Sequence, residues 1–174
     1  MRGIRGLKYR LGIFCVNHLY AGTNPRHFEK KRNILNSIGY TIGEGTKIVG
    51  PIYCTANLVI GNNCWIGKNL IVNGNGIVNI GNNCDIAPEV AFQTGGHEIG
   101  SFQRRAGLGL VYNISVGDGC WIGARSTILG GVTVGNGCVV AACACVCSDT
   151  SDNTLVGGVP AKPIKKLKYD TKDI

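Results

Sequence analysis

The sequence predicts an all-β solenoid, a chain coiled into short parallel strands, and three observations support this. Aliphatic residues recur at a step of six, which is strict from Val116 to Val146. The fifth position of each hexad is mostly small or aliphatic, while the third and fourth are mostly turn-forming residues, as in "GNNC". An α-helix cannot satisfy this period, whereas strands of about four residues closed by Gly/Asn turns can.

One such strand cannot bury its apolar side alone, so successive coils must stack about 4.8 Å apart around a continuous core. Three hexads make one triangular coil of 18 residues, which is the spacing between Cys120 and Cys138. Cys64 and Cys84 hold the same hexad position. We therefore predict that these four thiols lie in the core, where cysteine behaves as a small apolar residue.

The repeat divides the chain into three parts. A helical segment is expected over 1–39, the β-helix over 40–159, and a C-terminal cap or tail over 160–174. Asn24 and Pro25 are suited to begin a helix that Gly39 can end.

Glycine and proline residues affect the predicted secondary structure at both ends of the chain. Glycines upstream of Asn24 weaken the prediction of a further amphipathic helix there. Pro160 and Pro163 lack backbone donors and are expected to interrupt strand pairing near the C-terminus.

Charge and cysteine content limit the class of protein. Lys and Arg number 18 and Asp and Glu 10, a formal charge of +8 that is concentrated near the two ends. Basic ends suit a phosphate-bearing partner or are simply solvated faces, and no nucleic-acid-binding motif is present. The 9 cysteines include no CxxC pair and no Cys/His quartet. The apolar run "LGIFCVNHLYAG" lacks a signal-peptide cleavage site and is too short to span a bilayer, so we expect a cytoplasmic protein.

The repeat breaks at "TGGHEIGSFQRRAG", where an extended loop over about 95–113 is expected to leave the coil. Loops of this length in a compact domain are usually functional or disordered, and this one carries apolar residues that should pack. His97 lies at its root, and a neutral imidazole can accept a proton near neutral pH. His18 and His27 lie in the helical segment and are expected to be structural or exposed.

Three motifs together resemble the hexapeptide O-acetyltransferases, which include galactoside, maltose, polysaccharide and xenobiotic acetyltransferases. They are "GGH" before the loop, "WIGARSTILGGVTVG" after it, and "GGVPAK" near the end, and the similarity covers about 40–167. The resemblance implies a left-handed parallel β-helix. It also implies a homotrimer that binds acetyl-CoA between adjacent subunits and needs no metal.

The resemblance assigns a catalytic role to His97, which matches the family's general base. The base would take the proton of an acceptor hydroxyl that attacks the thioester. Asp85 is the preferred candidate, before Glu98 and Glu89, for a carboxylate that orients the ring. Asn73 and Trp121 match positions that line the acceptor side of sugar acetyltransferases.

Coenzyme A contacts carry over by position in the same way. Ala124 and Ala142 match places where backbone groups follow the pantetheine arm, and Lys162, helped by Lys165, matches a basic residue at a CoA phosphate. One departure is clear, because the family's "GAGSVVT" reads "AACACVCSD" here. Cys143 thereby replaces a glycine beside the coenzyme path.

We therefore predict an O-acetyltransferase that modifies a sugar or glycan hydroxyl, in surface polysaccharide or glycan assembly. Serine or a streptogramin-like antibiotic is an alternative acceptor. A non-catalytic trimeric scaffold is a further alternative, favoured by the altered cysteine segment. A γ-type zinc carbonic anhydrase needs three protein ligands, whereas only His97 lies in the coil region.

Overall fold

The computed structural model describes residues 2–168, with side chains from residue 6 onward. The side chains of Arg2 and Arg5, and the C-terminal residues 169–174 with Lys172, therefore lie outside the described part. Two N-terminal helices are followed by a parallel β-helix with three faces, here called sheets 1, 2 and 3. None of the helices in the described part is long and apolar enough to cross a membrane.

Each coil contributes one short strand to each sheet in turn. Sheet 1 contains β1 (Thr41–Ile42), β4 (Asn57–Ile60), β7 (Ile77–Ile80), β12 (Ile114–Val116) and β15 (Thr133–Val134). Sheet 2 contains β2 (Lys47–Ile48), β5 (Trp65–Ile66), β8 (Asp85–Ile86), β13 (Trp121–Ile122), β16 (Val139–Val140), β18 (Thr154–Gly158) and β19 (Ala161–Lys166). Sheet 3 contains β3 (Ile52–Cys54), β6 (Leu70–Asn73), β9 (Ala91–Gln93), β14 (Thr127–Leu129) and β17 (Cys145–Val146). Strands adjacent in these sheets are parallel, except for β18 and β19.

The corner between sheets 1 and 2 carries a ladder of small side chains that point into the core. Its members occupy the fifth hexad position and are Thr46, Cys64, Cys84, Cys120, Cys138 and Thr154. All are buried, as predicted for the four thiols. Each of the first five donates a hydrogen bond to a backbone carbonyl of the next coil, as Cys120 Sγ does to Gly135 O at 3.0 Å.

A second ladder runs along the outside of the same corner. The side-chain oxygen of an Asn or Asp in each coil accepts a hydrogen bond from a backbone N–H of the coil before it. Its members are Asn62, Asn82, Asp118, Asn136 and Asp152, at 2.7–2.9 Å. The residue after each is Asn or Gly in the left-handed region, such as Asn83 with φ 55. The third hexad position therefore supplies a hydrogen bond between coils, and the fourth supplies a residue that tolerates the left-handed turn.

The helical segment covers the first coils. Helix α2 (Pro25–Ser37) begins as predicted, because the Asn24 side chain accepts a hydrogen bond from Arg26 N at 3.1 Å. The buried Lys31 fastens α2 to the coil, since its Nζ donates to Gly22 O at 2.8 Å and Val49 O at 3.0 Å.

Despite its glycines, the segment before Asn24 is helical as well. It forms α1 (Arg2–Phe14) and a π-helical turn, Cys15–Leu19. Tertiary contacts outweigh propensity here, because Val16 is buried and Tyr9 Oη donates to Cys54 O at 2.8 Å.

Pro163 does not interrupt pairing, so the prediction was wrong for this residue, whereas Pro160 lies in the turn between β18 and β19. The chain reverses after β18, and β19 pairs antiparallel with it, so that Pro163 lies opposite Val156. The register shifts between Leu155 and Val156. Strand β19 is the edge of sheet 2, where a proline nitrogen can face away from the ladder.

The thiol ladder predicts a graded reactivity of the cysteines. A hydrogen bond with Cys84 and burial raise the pKa of Cys64, and a hydrogen bond with Cys120 raises the pKa of Cys84 to about 11. Burial shields the core thiols from the reagent, and the raised pKa values of Cys64 and Cys84 further disfavour their reactive thiolates. Alkylation of the folded protein should therefore label the exposed Cys143 and Cys147 but not Cys54, Cys64, Cys84, Cys120 or Cys138. Peptide mass spectrometry with and without denaturant measures this. Equal labelling of the two groups in the folded state would contradict the buried ladder.

Candidate active site

The excursion predicted at about 95–113 is an ordered antiparallel hairpin, β10 (Gly95–Ile99) and β11 (Ala106–Val111). It leaves the coil at the corner between sheets 3 and 1. The buried Thr94 fixes its root, because its Oγ1 donates to Asn73 O at 2.8 Å and accepts from Gly76 N at 3.1 Å. The hairpin therefore rises from a rigid base.

The returning strand is fastened at the same corner. Asn113 Oδ1 accepts a hydrogen bond from Ile77 N at 3.0 Å, and Tyr112 N donates to Thr94 O at 2.8 Å. A Cβ at Gly76 would collide with the backbone of Tyr112, so only glycine allows this close approach. Both ends of the hairpin are thus held to one coil.

His97 lies on β10 opposite Gly109, and its side chain is exposed. Its Nδ1 lies 3.0 Å from Gly107 O across the hairpin. A carbonyl oxygen can only accept, so this contact assigns the proton to Nδ1 and leaves Nε2 with a free lone pair. His97 lines an open pocket with Asn75, Gly96 and residues of β11. In the neutral imidazole this tautomer could accept a proton at Nε2.

Asp85 is not brought to His97 within one chain. It lies on the outer face of sheet 2, between Trp65 and Trp121 in register. These three side chains line a separate groove with Pro88. The group that orients the His97 ring among the described residues is a backbone carbonyl, and this contact was not predicted.

The structure brings Ala124 and Ala142 together. Both line a groove along the corner between sheets 2 and 3, where Arg125, Cys143 and Glu89 also lie. Three successive coils contribute to its wall, and Cys143 N donates to Ala124 O at 2.9 Å. Ala124 and Ala142 each present only a Cβ methyl group to this groove.

One feature of this groove was missed, the ion pair between Arg125 and Glu89, and another, the position of Cys143, was expected. Arg125 Nε donates to Glu89 Oε2 at 2.7 Å, and this contact holds the pKa of Glu89 below its ordinary value. Cys143 has φ 60 and is exposed. Its side chain therefore lies on the wall of the groove, as its place beside the expected coenzyme path implied.

The two predicted lysines lie at different places. Lys162 pairs with Gly157, which stacks on Ala141, so Lys162 lies at the C-terminal end of the groove. Lys165 instead lines a cleft at the open end of the core. Neither lysine lines the groove itself, and Lys162 lies at its end.

Asn73 is exposed at the end of β6, and its carbonyl accepts the two hydrogen bonds from Thr94 at the hairpin root. Two residues further, Asn75 lines the His97 pocket and was missed. The sequence contains a sign of this corner, because Ile66 and Ile80 are separated by 14 residues, two more than the 12 of two regular hexads. The enlarged corner lies directly before the coil from which the hairpin leaves.

Within the described residues, no three His, Cys, Asp or Glu side chains are grouped so that they could hold a metal ion.

Comparison with known proteins agrees with this architecture. The family described as bacterial transferase hexapeptide (six repeats) matches residues 113–148. Galactoside O-acetyltransferase from Escherichia coli (strain K12) is 31% identical over 157 residues, which cover 89% of this chain and 75% of that protein.

Two solved structures are similar over nearly the whole chain. A hexapeptide-repeat acetyltransferase from Vibrio cholerae O1 biovar eltor, complexed with acetyl coenzyme A, has 26% identity and a TM-score of 0.78, and the match covers 97% of this chain and 89% of that one. A galactoside acetyltransferase in complex with coenzyme A has 26% identity and a TM-score of 0.79, with 98% and 87% covered. The predicted left-handed parallel β-helix is thus confirmed, and the chain belongs to the hexapeptide-repeat acetyltransferases.

Proposed function

We propose that this chain transfers an acetyl group from acetyl-CoA to a hydroxyl of a sugar or glycan. The observation that carries the proposal is the His97 ring, whose Nδ1 contact with Gly107 O leaves Nε2 free to accept a proton. The coenzyme complexes of similar structures support acetyl-CoA as the donor. The sugar acceptor is supported by the similarity to a galactoside O-acetyltransferase.

His97 acts as the general base in this reaction. Its Nε2 takes the proton of the acceptor hydroxyl while the hydroxyl oxygen forms a bond to the thioester carbonyl carbon. The carbon–sulfur bond then breaks, and His97 returns the proton to the departing sulfur. The products are an acetyl ester and free CoA, so atoms and charge balance without a metal or an oxidant.

The coenzyme is proposed to lie in the groove lined by Ala124 and Ala142, with a phosphate at Lys162. Lys165 is not included, because it lines the cleft at the end of the core. Nine free cysteines in the described residues fit a reducing cytoplasm, where we place the reaction.

A homotrimer would complete the site between neighbouring copies. In one chain the His97 hairpin leaves at the corner of sheets 3 and 1, whereas the groove follows the corner of sheets 2 and 3. Sheet 3 separates these two corners. A neighbouring copy can supply the groove, and the sheet 2 face with Asp85 and Trp121, to the His97 of this copy. Asn73, beside the hairpin root, is proposed to line the acceptor side.

Replacement of the base tests the function directly. His97→Ala should lower acetyl transfer by about 10²–10⁴-fold, because general base catalysis contributes an amount of that order. We would incubate the protein with acetyl-CoA and a pool of sugars, glycan fragments, serine and streptogramin, and identify acetylated products by mass spectrometry. The control is His18→Ala, which removes an exposed histidine far from the hairpin in sequence.

An acetylated sugar or glycan that disappears only with His97→Ala supports the base and the acceptor class together. Near-normal turnover in this variant would contradict the role of His97. Acetylated serine or streptogramin as the main product would replace the proposed acceptor.

Cys143 offers a test of the coenzyme groove. Its exposed thiol lines the groove, whereas the equally exposed Cys147 does not. A saturating coenzyme analogue without a thiol, desulfo-CoA, should slow alkylation of Cys143 by about tenfold or more and leave Cys147 unchanged, because protection follows the bound fraction. Peptide mass spectrometry measures both rates in one sample. Equal rates with and without the analogue would move the coenzyme out of this groove.

Lys162→Ala tests the phosphate contact. A charge-assisted hydrogen bond that is lost should raise the Michaelis constant for acetyl-CoA by about tenfold, with a smaller effect on that of the acceptor. Lys47→Ala, on the first coil of the same sheet, is the matched control. An unchanged acetyl-CoA dependence would remove Lys162 from the site.

A further inference from the structure

Helix α1 carries an apolar stripe on its outward face, formed by Leu7, Leu11 and Phe14. These residues are spaced by four and three and therefore share one side of the helix. Their exposed fractions are 68%, 61% and 50%, and Leu19 in the following turn is 58% exposed. Large apolar side chains that are exposed to solvent on neighbouring turns form a contiguous patch, and such patches are typical of interaction surfaces.

The stripe is separate from the side of α1 that packs on the rest of the protein. That inward side is already occupied, because Tyr9 Oη donates to Cys54 O at 2.8 Å and Ile13 packs against the core. A Cβ at Gly12 would meet the side chains of Ile34 and Ile38. The helix thus has two apolar faces. Among the described residues the inward face packs on the rest of the chain, and the outer face makes a ring contact between Phe14 and His18.

Basic side chains flank the outer stripe. At 100° per residue, Lys8 lies on one side of Leu7 and Leu11, and Arg10 lies on the other. Both are exposed. The first acidic residue of the chain is Glu29, so no carboxylate of the preceding sequence neutralises these charges.

We propose that the outer stripe docks this protein on an anionic membrane surface. An apolar stripe between basic side chains is typical of helices that lie in the interface plane, with the apolar residues among the acyl chains and the cations at the headgroups. Helix α1 has 13 residues, or about 20 Å at 1.5 Å per residue, so it lies on the bilayer and does not cross it. A second copy of the same helix is a poorer partner, because symmetric pairing of two such helices brings their positive charges, Lys8 and Arg10, close to one another.

Vesicle sedimentation with the full chain tests the proposal. Wild-type protein should bind vesicles that contain phosphatidylglycerol, bind phosphatidylcholine vesicles at least about tenfold less, and be released by salt. The double variant Leu7→Ser, Leu11→Ser should bind anionic vesicles at least about tenfold more weakly, because two exposed apolar anchors are lost. Val159→Ser with Ile164→Ser is the matched control, since these residues are 75% and 61% exposed elsewhere.

The charges are tested separately. Lys8→Glu with Arg10→Glu should weaken binding by more than about tenfold, because each cation near an anionic surface contributes about fivefold. The control Lys47→Glu reverses one exposed charge on sheet 2, half the change in net charge, and should lower the binding free energy by less than half as much as the double variant. Circular dichroism and acetyl transfer to a soluble acceptor verify that the variants are folded, since α1 contributes nothing to the proposed site.

The proposal is overturned if wild-type protein does not bind anionic vesicles, or if the stripe variant binds as well as its control. A third result would also overturn it. If the stripe variant changes the oligomeric state in sedimentation velocity and wild-type protein ignores vesicles, the stripe is a contact between copies of this chain. Acetyl transfer is measured in a separate assay on wild-type protein, so a failure of vesicle binding with retained acetyl transfer leaves the proposed function in place, and the reverse also holds.

Discussion

Hydrogen bonds between two side chains per coil and the backbone of the adjacent coils fix the stacking of this β-helix along one corner. At the corner of sheets 1 and 2, Cys120 donates inward to Gly135 O, and Asp118 accepts outward from Asn82 N. The same two contacts recur along the helix with Thr, Cys, Asn or Asp. Because the spacing between coils is fixed at this corner, the side chains at the other two corners are also stacked in register.

The other two corners of the β-helix carry different features, a groove at one and a hairpin at the other. Between sheets 2 and 3, small residues such as Ala124 and Ala142 stack to form a continuous groove. Between sheets 3 and 1, the chain leaves the coil and returns, and Thr94 and Asn113 fasten the resulting hairpin. Rigid attachment matters for His97, whose ring is oriented by a backbone carbonyl of the same hairpin. The fold therefore separates the proposed base and the proposed coenzyme groove within one chain, and this separation is the reason why we propose that a neighbouring copy completes the site.

The hexad pattern predicts the coil and its inward residues well, because a period of six with small fifth positions has few other solutions. It located His97 at the break, whereas Ala124 and Ala142 were predicted from the family resemblance, and both line one groove. It could not show that Asp85 lies apart from His97, because the period does not reveal distances between corners. The pairing of β19 was missed because a proline is compatible with an edge strand, which local sequence does not distinguish from a central one. Helix α1 was underestimated because Val16 and Tyr9 stabilise it through contacts distant in sequence.

The most direct test of this account mixes two inactive variants. His97→Ala removes the base, and Ala142→Trp should fill the groove. If each site combines His97 of one subunit with the groove of its neighbour, randomly mixed trimers should regain about a quarter of the wild-type acetyl transfer per chain. The mixture is prepared by joint refolding or co-expression, and product is measured by mass spectrometry with trimers confirmed by sedimentation. Activity no higher than the mean of the two separate variants, in trimers shown to be mixed, would contradict a site shared between copies.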